Sequence, residues 1–202
     1  KDAARPDMQP LEDARANPQK NRARRIKIVM AFDGSISSDA TALVGMTVED
    51  GHLFVLGVWE HDGTEDWEVP RHEVHDAIAD AFDLFDVQAF QCDTAYWLSE
   101  FHDWQKQYGD RKVLDFTMSN ARMVPAVQEL YAGIKDGQVT HSDDPVLNRH
   151  VSNAITHETP RGVTIKKQSK DSVHKIDHAV TACMANDARL RLPRRRGLTK
   201  GW

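Results

Sequence analysis

The sequence predicts an α/β fold in which helices flank a mixed sheet, made of an antiparallel three-strand meander plus parallel strands. Three observations predict it. The β-branched apolar run IKIVMAFD, at residues 26–33, has the composition of a buried central strand. Two further β-type runs, at 41–48 and 52–59, are joined through Asp50-Gly51, a preferred dipeptide of tight hairpin turns. Beyond residue 70, helical and strand patterns alternate, which is typical of parallel strands reached through crossover helices.

The composition bounds the possible functions. A chain of 202 residues with 40% hydrophobic content can bury the core of one domain. No apolar run approaches the roughly 18 residues of a membrane span, and the N-terminus lacks the apolar segment of a signal peptide, so we expect a soluble protein. Cys92 and Cys183 lie in apolar surroundings without metal-type spacing, which favours buried free thiols in a reducing compartment. The chain begins at Lys1 and not at Met, which suggests a fragment or processed piece.

The formal net charge of -5 hides an asymmetry along the chain. Residues 49–110 contain 16 acidic and 2 basic side chains, whereas residues 161–202 contain 11 basic and 3 acidic ones. Phosphate binding depends on local clusters of charge and not on the total. Lys166, Lys167 and Lys170 are therefore candidate DNA contacts, with an ordinary solvated face as the alternative.

The elements outside the meander follow from periodicity and turn residues. The polar, proline-containing residues 1–25 predict a linker or docking arm. The strand at 87–93 is reached through a helix, so it is most simply parallel to a strand already in the sheet. The predicted helices and strands of this central part are helices at 71–85, 98–108 and from Ser119 or Asn120 to Gly137, and strands at 87–93 and 113–118.

The C-terminal part predicts two more helices. Residues 140–155 predict a loop and then a helix from Pro145, with Leu147, Val151 and Ile155 on one face. Residues 156–170 predict a short extended segment. The last helix is predicted to begin near Asp171 or Ser172, to end at Pro193 before a basic tail, and to bury Val173, Ile176, Val180, Cys183 and Met184.

Three acidic residues lie where the predicted fold can bring them together. Asp33 ends the first strand, Asp93 ends the strand at 87–93, and Asp177 borders the apolar stripe of the last helix. If the two strands are neighbours, Asp33 and Asp93 lie at the same edge of the sheet. Converging carboxylates are the ligands that hard divalent cations prefer, so the pattern predicts a metal-dependent nuclease. An Asp at a strand end is, alternatively, only a turn former.

Four motifs in this order carry a resemblance to a known family. They are FDGSISSDATAL, QCDTAYW, VTHSDDPVLNRHVSNA and KIDHAVTACMA, and they resemble the C-terminal nuclease domain of the large terminase subunit of tailed bacteriophages, which has a ribonuclease H-like fold. The resemblance covers roughly residues 26–192, which leaves residues 1–25 as an arm and 193–202 as a basic tail. The family's ATPase half would lie upstream, and this chain has no GxxxxGK[ST] loop.

The resemblance implies an endonuclease that cuts concatemeric viral DNA during genome packaging in the host cell cytoplasm. Asp33, Asp93 and Asp177 match the family's three metal-binding acids, and two Mg²⁺ or Mn²⁺ ions would be held between them. The implied partners are double-stranded DNA, the upstream ATPase domain of the same polypeptide, the portal and the small terminase subunit, with no membrane. From the chemistry of two-metal hydrolysis we expect Asp33 to bridge both ions and the other two acids each to complete one.

Weaker candidates surround these acids. Asp39 is a candidate fourth acid, although a plain turn residue is the more common role in such a loop. His150 and Asn153, three apart on one helix face, are candidates for orienting a metal-bound water or a phosphate, with a structural hydrogen bond as an equal alternative. Asp171 lies on the approach to the site and is more consistent with a helix cap.

Two other classes of function remain open. Actin-like and sugar-kinase-like phosphotransferases also begin with a strand, Asp-Gly-Ser and a hairpin, but they need a second domain and an adenosine site, for which 202 residues leave little room. A non-catalytic interaction module could retain the same fold. Metal-dependent nicking of DNA separates the nuclease from both, and ATP binding would favour the phosphotransferase.

Overall fold

The computed structural model describes residues 25–37, 39–169 and 172–193. The predictions for the N-terminal arm and the basic tail, and those for Lys170 and Asp171, lie outside these described residues. Within the described ranges, no helix has the length and apolar character that a membrane crossing requires. Cys92 and Cys183 are buried free thiols, as predicted.

The fold is built on a six-stranded mixed sheet of β1 Lys27–Asp33, β2 Thr41–Thr47, β3 His52–Trp59, β4 Asp86–Cys92, β5 Val113–Asp115 and β6 Thr140–His141. The strands lie in the order β5-β4-β1-β2-β3-β6. Strands β1 to β3 form the predicted antiparallel meander, and Gly51 has the positive φ of 71° that its hairpin turn requires. Strand β4 is parallel to β1, as predicted, and β5 is parallel to β4.

Five helices and a separate hairpin complete the described fold. The hairpin of β7 and β8 forms its own two-stranded antiparallel sheet, in the segment where the sequence predicted only an extended chain. The helices are α1 Arg71–Leu84, α2 Leu98–Tyr108, α3 Asn120–Lys135, α4 Pro145–Asn153 and α5 Asp177–Arg191, and the hairpin strands are β7 Ile155–Thr159 and β8 Gly162–Lys166.

The sheet is covered on both faces, which explains why β1 is apolar throughout. Ile28, Met30 and Phe32 enter the core that α1 and α2 cover, whereas Val29 and Ala31 enter the core under α3 and α5. All five side chains are fully buried. Because both faces bury apolar groups, β1 is held firmly, and the position of Asp33 at its end is fixed by packing.

The structure corrects three predictions in the C-terminal part. Residues Thr140–His141 form the edge strand β6 in a segment predicted to be a loop. Val151 and Ile155 are 49% and 39% exposed, because α4 turns Leu147 and His150 to the core and ends at Asn153. These three differences reflect contacts with distant parts of the chain, which local periodicity does not report.

The last helix also begins later than predicted. It starts at Asp177, with Ile176 at the N-cap position, and not near residue 171 or 172. Val173 is 80% exposed and therefore outside the buried stripe. The buried face of α5 is rich in small side chains, which allow the helix to lie close to β1 and β2.

Candidate metal centre

The structure brings the three predicted acids to one edge of the sheet. Asp33 is the last residue of β1, and Asp93 directly follows the neighbouring parallel strand β4. The backbone N–H of Asp93 donates to the carbonyl of Phe32 at 2.9 Å, which holds the two strand ends together. Asp177 is the first residue of α5, which packs across β1. Two strand ends and one helix start thus supply one acid each.

The acids interact through their charges. Burial raises the pKa of Asp33 well above its ordinary value, and the nearby charges of Asp177, Asp93 and Asp39 raise it further. The pKa of Asp177 is also raised, first by burial and then by Asp39. For Asp93, burial outweighs the hydrogen bond from the Ala95 amide, so its pKa is raised as well. A cluster of carboxylates with raised pKa values gains most from a cation that neutralises it.

Asp177 provides the observation that best fits a metal ligand. Its side chain is only 6% exposed, and Oδ2 is buried without a hydrogen-bond partner among the described residues. A buried carboxylate oxygen without a donor is costly, and a hard cation would satisfy it. Within the described ranges, no group of three or more His, Cys, Asp or Glu side chains is arranged so that it could hold a metal ion. The three acids therefore influence one another through their charges without forming a preassembled metal site.

Two lysines contact Asp39, whose charge acts on Asp33 and Asp177. Lys167 forms an ion pair with Asp39, and the ammonium of Lys175 lies 3.1 Å from the same carboxylate. Burial acts to raise the pKa of Asp39, but the hydrogen bonds and charges of the two lysines outweigh it and lower the pKa. The charge of Lys167 also opposes the rise in the pKa values of Asp33 and Asp177, because its ammonium lies near both acids. Lys166 is the exposed last residue of β8.

Comparisons with known proteins found curated relatives and solved structures that are similar to this chain. The sequence matches no protein-family model. It is 37% identical over 174 residues to the Gene 13 protein of Mycobacterium phage D29, a match that covers 81% of this chain and 29% of that protein. The chain therefore spans less than a third of the length of this curated relative.

Solved structures decide the fold. The HK97 bacteriophage large terminase superposes with a TM-score of 0.64 at 23% identity, over 81% of this chain and 39% of that one. The large terminase nuclease from thermophilic phage G20c with bound magnesium superposes with a TM-score of 0.58 at 14% identity, over 81% of this chain and 82% of that one. This chain has the fold of the phage large terminase nuclease domain. The predicted fold class is confirmed, and the fold is that of the nuclease family which the sequence motifs resemble.

In this terminase nuclease fold, the predicted residues His150 and Asn153 form structural contacts close to Asp177. His150 is fully buried, and its Nδ1 accepts a hydrogen bond from the backbone N–H of His178 at 3.1 Å. Because a backbone amide can only donate, the proton of His150 lies on Nε2, which is 2.9 Å from Oε1 of Glu60. Asn153 donates through Nδ2 to the carbonyl of Lys175 at 3.0 Å. Both contacts hold the chain around the start of α5.

Several polar residues near the acids were not predicted from the sequence. Glu60 binds His150 across 90 sequence positions, and Lys175 was not singled out from the basic C-terminal part. Asp115, at the end of β5, accepts a hydrogen bond from Thr94 at 2.9 Å. Its position at a strand end beside Asp93 was the signal that could have identified it.

A buried ionic network behind the acids was also missed. Asp187, on α5, is fully buried and lies 2.9 Å from Nε2 of Gln91, 3.3 Å from Arg122 and 2.7 Å from Arg191. The guanidinium of Arg122 also lies 4.5 Å from the ring centroid of Phe116. The network joins α5 to β4 and α3. Only the Asp187–Arg191 pair, four residues apart on one helix, has a local sequence signal.

Proposed function

We propose that this chain is the nuclease domain of a phage large terminase subunit and that it hydrolyses phosphodiester bonds of concatemeric double-stranded DNA during genome packaging. The convergence of Asp33, Asp93 and Asp177 at one sheet edge, with the Oδ2 atom of Asp177 buried and unpaired, carries the proposal. The fold shared with large terminase nucleases supports it.

The three acids would hold two Mg²⁺ or Mn²⁺ ions. Asp33 fits the bridging position because, after burial, the charges of both Asp177 and Asp93 raise its pKa, so its carboxylate interacts with each of the other two acids. Asp93 and Asp177 would each complete one ion. Two such ions supply a nucleophilic water at neutral pH and stabilise the departing alkoxide. Lys167 lies where its ammonium can bind a DNA phosphate once the Asp39 contact is exchanged.

The proposed function requires partners outside this chain. Because the chain spans 29% of the Gene 13 protein of phage D29, we propose that it acts with an ATPase domain of the same polypeptide. The portal and the small terminase subunit are the proposed partners in packaging, in the host cell cytoplasm.

Nicking of supercoiled plasmid tests the proposal. The purified chain is incubated with Mg²⁺, with Mn²⁺ or with excess EDTA. We expect nicking with either ion, at least as fast with Mn²⁺, and none in EDTA. Asp33→Asn should abolish nicking, whereas Asp103→Asn, a matched change at an exposed surface ion pair of α2, should not. Full activity in EDTA, or wild-type nicking by Asp33→Asn, would reject the proposal.

A further inference from the structure

Exposed apolar side chains lie in the segments that follow β1, β4 and β5, at the sheet edge where Asp33 and Asp93 lie. Strands β1, β4 and β5 are parallel, so the loops after them lie at the same sheet edge. Tyr96, three residues after Asp93, is 70% exposed, and Ile36, three residues after Asp33, is 41% exposed. Leu98 and Met118 are 55% and 38% exposed in the segments after β4 and β5. We call these four residues, Ile36, Tyr96, Leu98 and Met118, the apolar rim.

Tyr96 has a backbone conformation that is unfavourable for an aromatic residue. Its φ is 66°, in the left-handed region where a Cβ crowds the following carbonyl. A glycine would adopt this conformation without strain. The side chain nevertheless contributes little to the core, because most of it faces solvent. Stability of the fold therefore does not explain the presence of a tyrosine at this position.

The backbone of Tyr96 is fixed to the frame that carries the acids. Arg71 donates to the Tyr96 carbonyl at 3.3 Å, and its guanidinium lies 4.3 Å from the ring centroid of Trp97. Trp97 is fully buried and donates through Nε1 to the carbonyl of Ser35 at 3.0 Å. A Cβ at Gly34 would clash with this indole ring, so the glycine allows the contact. The loops that follow Asp33 and Asp93 are thus joined into one rigid unit.

The position of Tyr96 restricts what it can meet. Three residues of chain reach at most about 11 Å, which is less than the major-groove width of about 12 Å. A duplex whose phosphate lies at Asp33 and Asp93 therefore comes within about one groove width of Tyr96 and Ile36. Lys167 and Lys175 add positive charge on the side of the acids nearest Asp39. The rim thus adds apolar contact area at the sheet edge to which the proposed function brings the phosphate backbone.

We propose that Tyr96 and the apolar rim contact DNA bases next to the phosphodiester that the acids position, so that cleavage favours steps that open easily. This inference rests on the proposed nuclease function. An aromatic ring stacks on an unpaired base, and apolar side chains wedge between base pairs, without reading base identity. The resulting preference for certain cleavage sites would follow from the deformability of the DNA, because pyrimidine–purine steps unstack most readily.

Two measurements on the purified chain test the proposal. The first compares binding, in Ca²⁺, to a matched duplex and to the same duplex with a short mismatched bubble. We expect the wild type to bind the bubble about tenfold more tightly, and Tyr96→Ala to lose this preference. The second sequences the nicked ends of plasmid cut in Mn²⁺. Cuts by the wild type should concentrate at pyrimidine–purine steps, and cuts by Tyr96→Ala should be spread more evenly.

Three further variants separate a DNA contact from a structural role. Tyr96→Phe keeps the ring and should behave as the wild type. Tyr96→Gly relieves the positive φ and should remain folded while losing the preference. Tyr131→Ala removes a tyrosine that is 69% exposed on α3 and should change neither measurement.

The outcomes distinguish this inference from the proposed function. If the wild type nicks plasmid and Tyr96→Ala keeps both the bubble preference and the cut-site distribution, the inference alone is wrong. If Tyr131→Ala changes them as much as Tyr96→Ala, the effect is not specific to the rim, and the inference is also wrong. If the wild type neither nicks nor binds DNA, the proposed function fails together with the inference.

Discussion

Replacing Asp177 by Asn should move the stability of the protein in opposite directions with and without metal. The carboxylate is 6% exposed, has one buried unpaired oxygen, and has a raised pKa because of burial and Asp39. A carboxyl group whose folded pKa lies above its unfolded value of 3.8 destabilises the folded state when it is ionised at neutral pH. Asn is nearly isosteric and neutral, so it removes this penalty while the packing of α5 is kept.

The expected stability change of Asp177→Asn can be estimated both without metal and with Mn²⁺. Removing one charge from repelling acids in a partly buried site is worth about 1 kcal/mol. For a chain of about 200 residues this is a rise in Tm of about 2–4 °C in EDTA. Mn²⁺ at about 100 times its Kd should stabilise the wild type by about 2.7 kcal/mol, and Asp177→Asn should lose most of that gain.

Thermal unfolding in EDTA and across a Mn²⁺ titration measures both quantities. Asp103→Asn, at an exposed surface ion pair, is the matched control and should follow the wild type in each condition. A fall in stability of more than about 1 kcal/mol for Asp177→Asn in EDTA would show that its charge supports the fold. An unchanged Mn²⁺ response would show that Asp177 is not a metal ligand.

Three further predictions concern charged and titratable side chains. Arg122→Ala should destabilise the protein by about 3 kcal/mol, because it leaves the buried Asp187 less compensated, whereas Arg191→Ala, at a more exposed partner, should cost less than half as much in denaturant unfolding. Replacing Lys166 and Lys167 together by Ala should reduce the slope of log K against log [salt] for DNA binding by about two, and an unchanged slope would show that neither lysine contacts a DNA phosphate. Burial and the neighbouring His150 lower the pKa of His178 from 6.5 to about 4, so unfolding free energy should fall by up to about 3 kcal/mol from pH 7 to pH 4, a slope that His178→Gln should reduce.

Local patterns in the sequence were enough to predict the central part of the fold. The apolar run of β1 predicted a strand buried on both faces, and Asp50-Gly51 predicted the hairpin between β2 and β3. Asp33 and Asp93 could be placed together because each follows a strand and the strands are parallel neighbours. These features depend on residues that are close in sequence or on a simple topological rule.

Contacts between distant residues could not be predicted in this way. Gln91 and Asp187 are 96 residues apart, and Glu60 and His150 are 90 apart, so neither pair leaves a periodic signal. Strand β6 has only two residues, and its pairing with β3 is set by the path of the chain. Val173 matched the helical spacing of α5, but it lies before the helix starts and is exposed. In each case tertiary contacts outweighed the local pattern.

The most direct test of the candidate metal centre is an anomalous diffraction map of the crystallised chain soaked in Mn²⁺. The account predicts two peaks about 3.5–4 Å apart, with Asp33 between them and with Asp93 and Asp177 each contacting one. Oδ2 of Asp177, which has no hydrogen-bond partner among the described residues, should be a ligand. Strong peaks elsewhere, together with no peak at Asp33 under saturating Mn²⁺, would contradict the assignment of these three acids as the metal site.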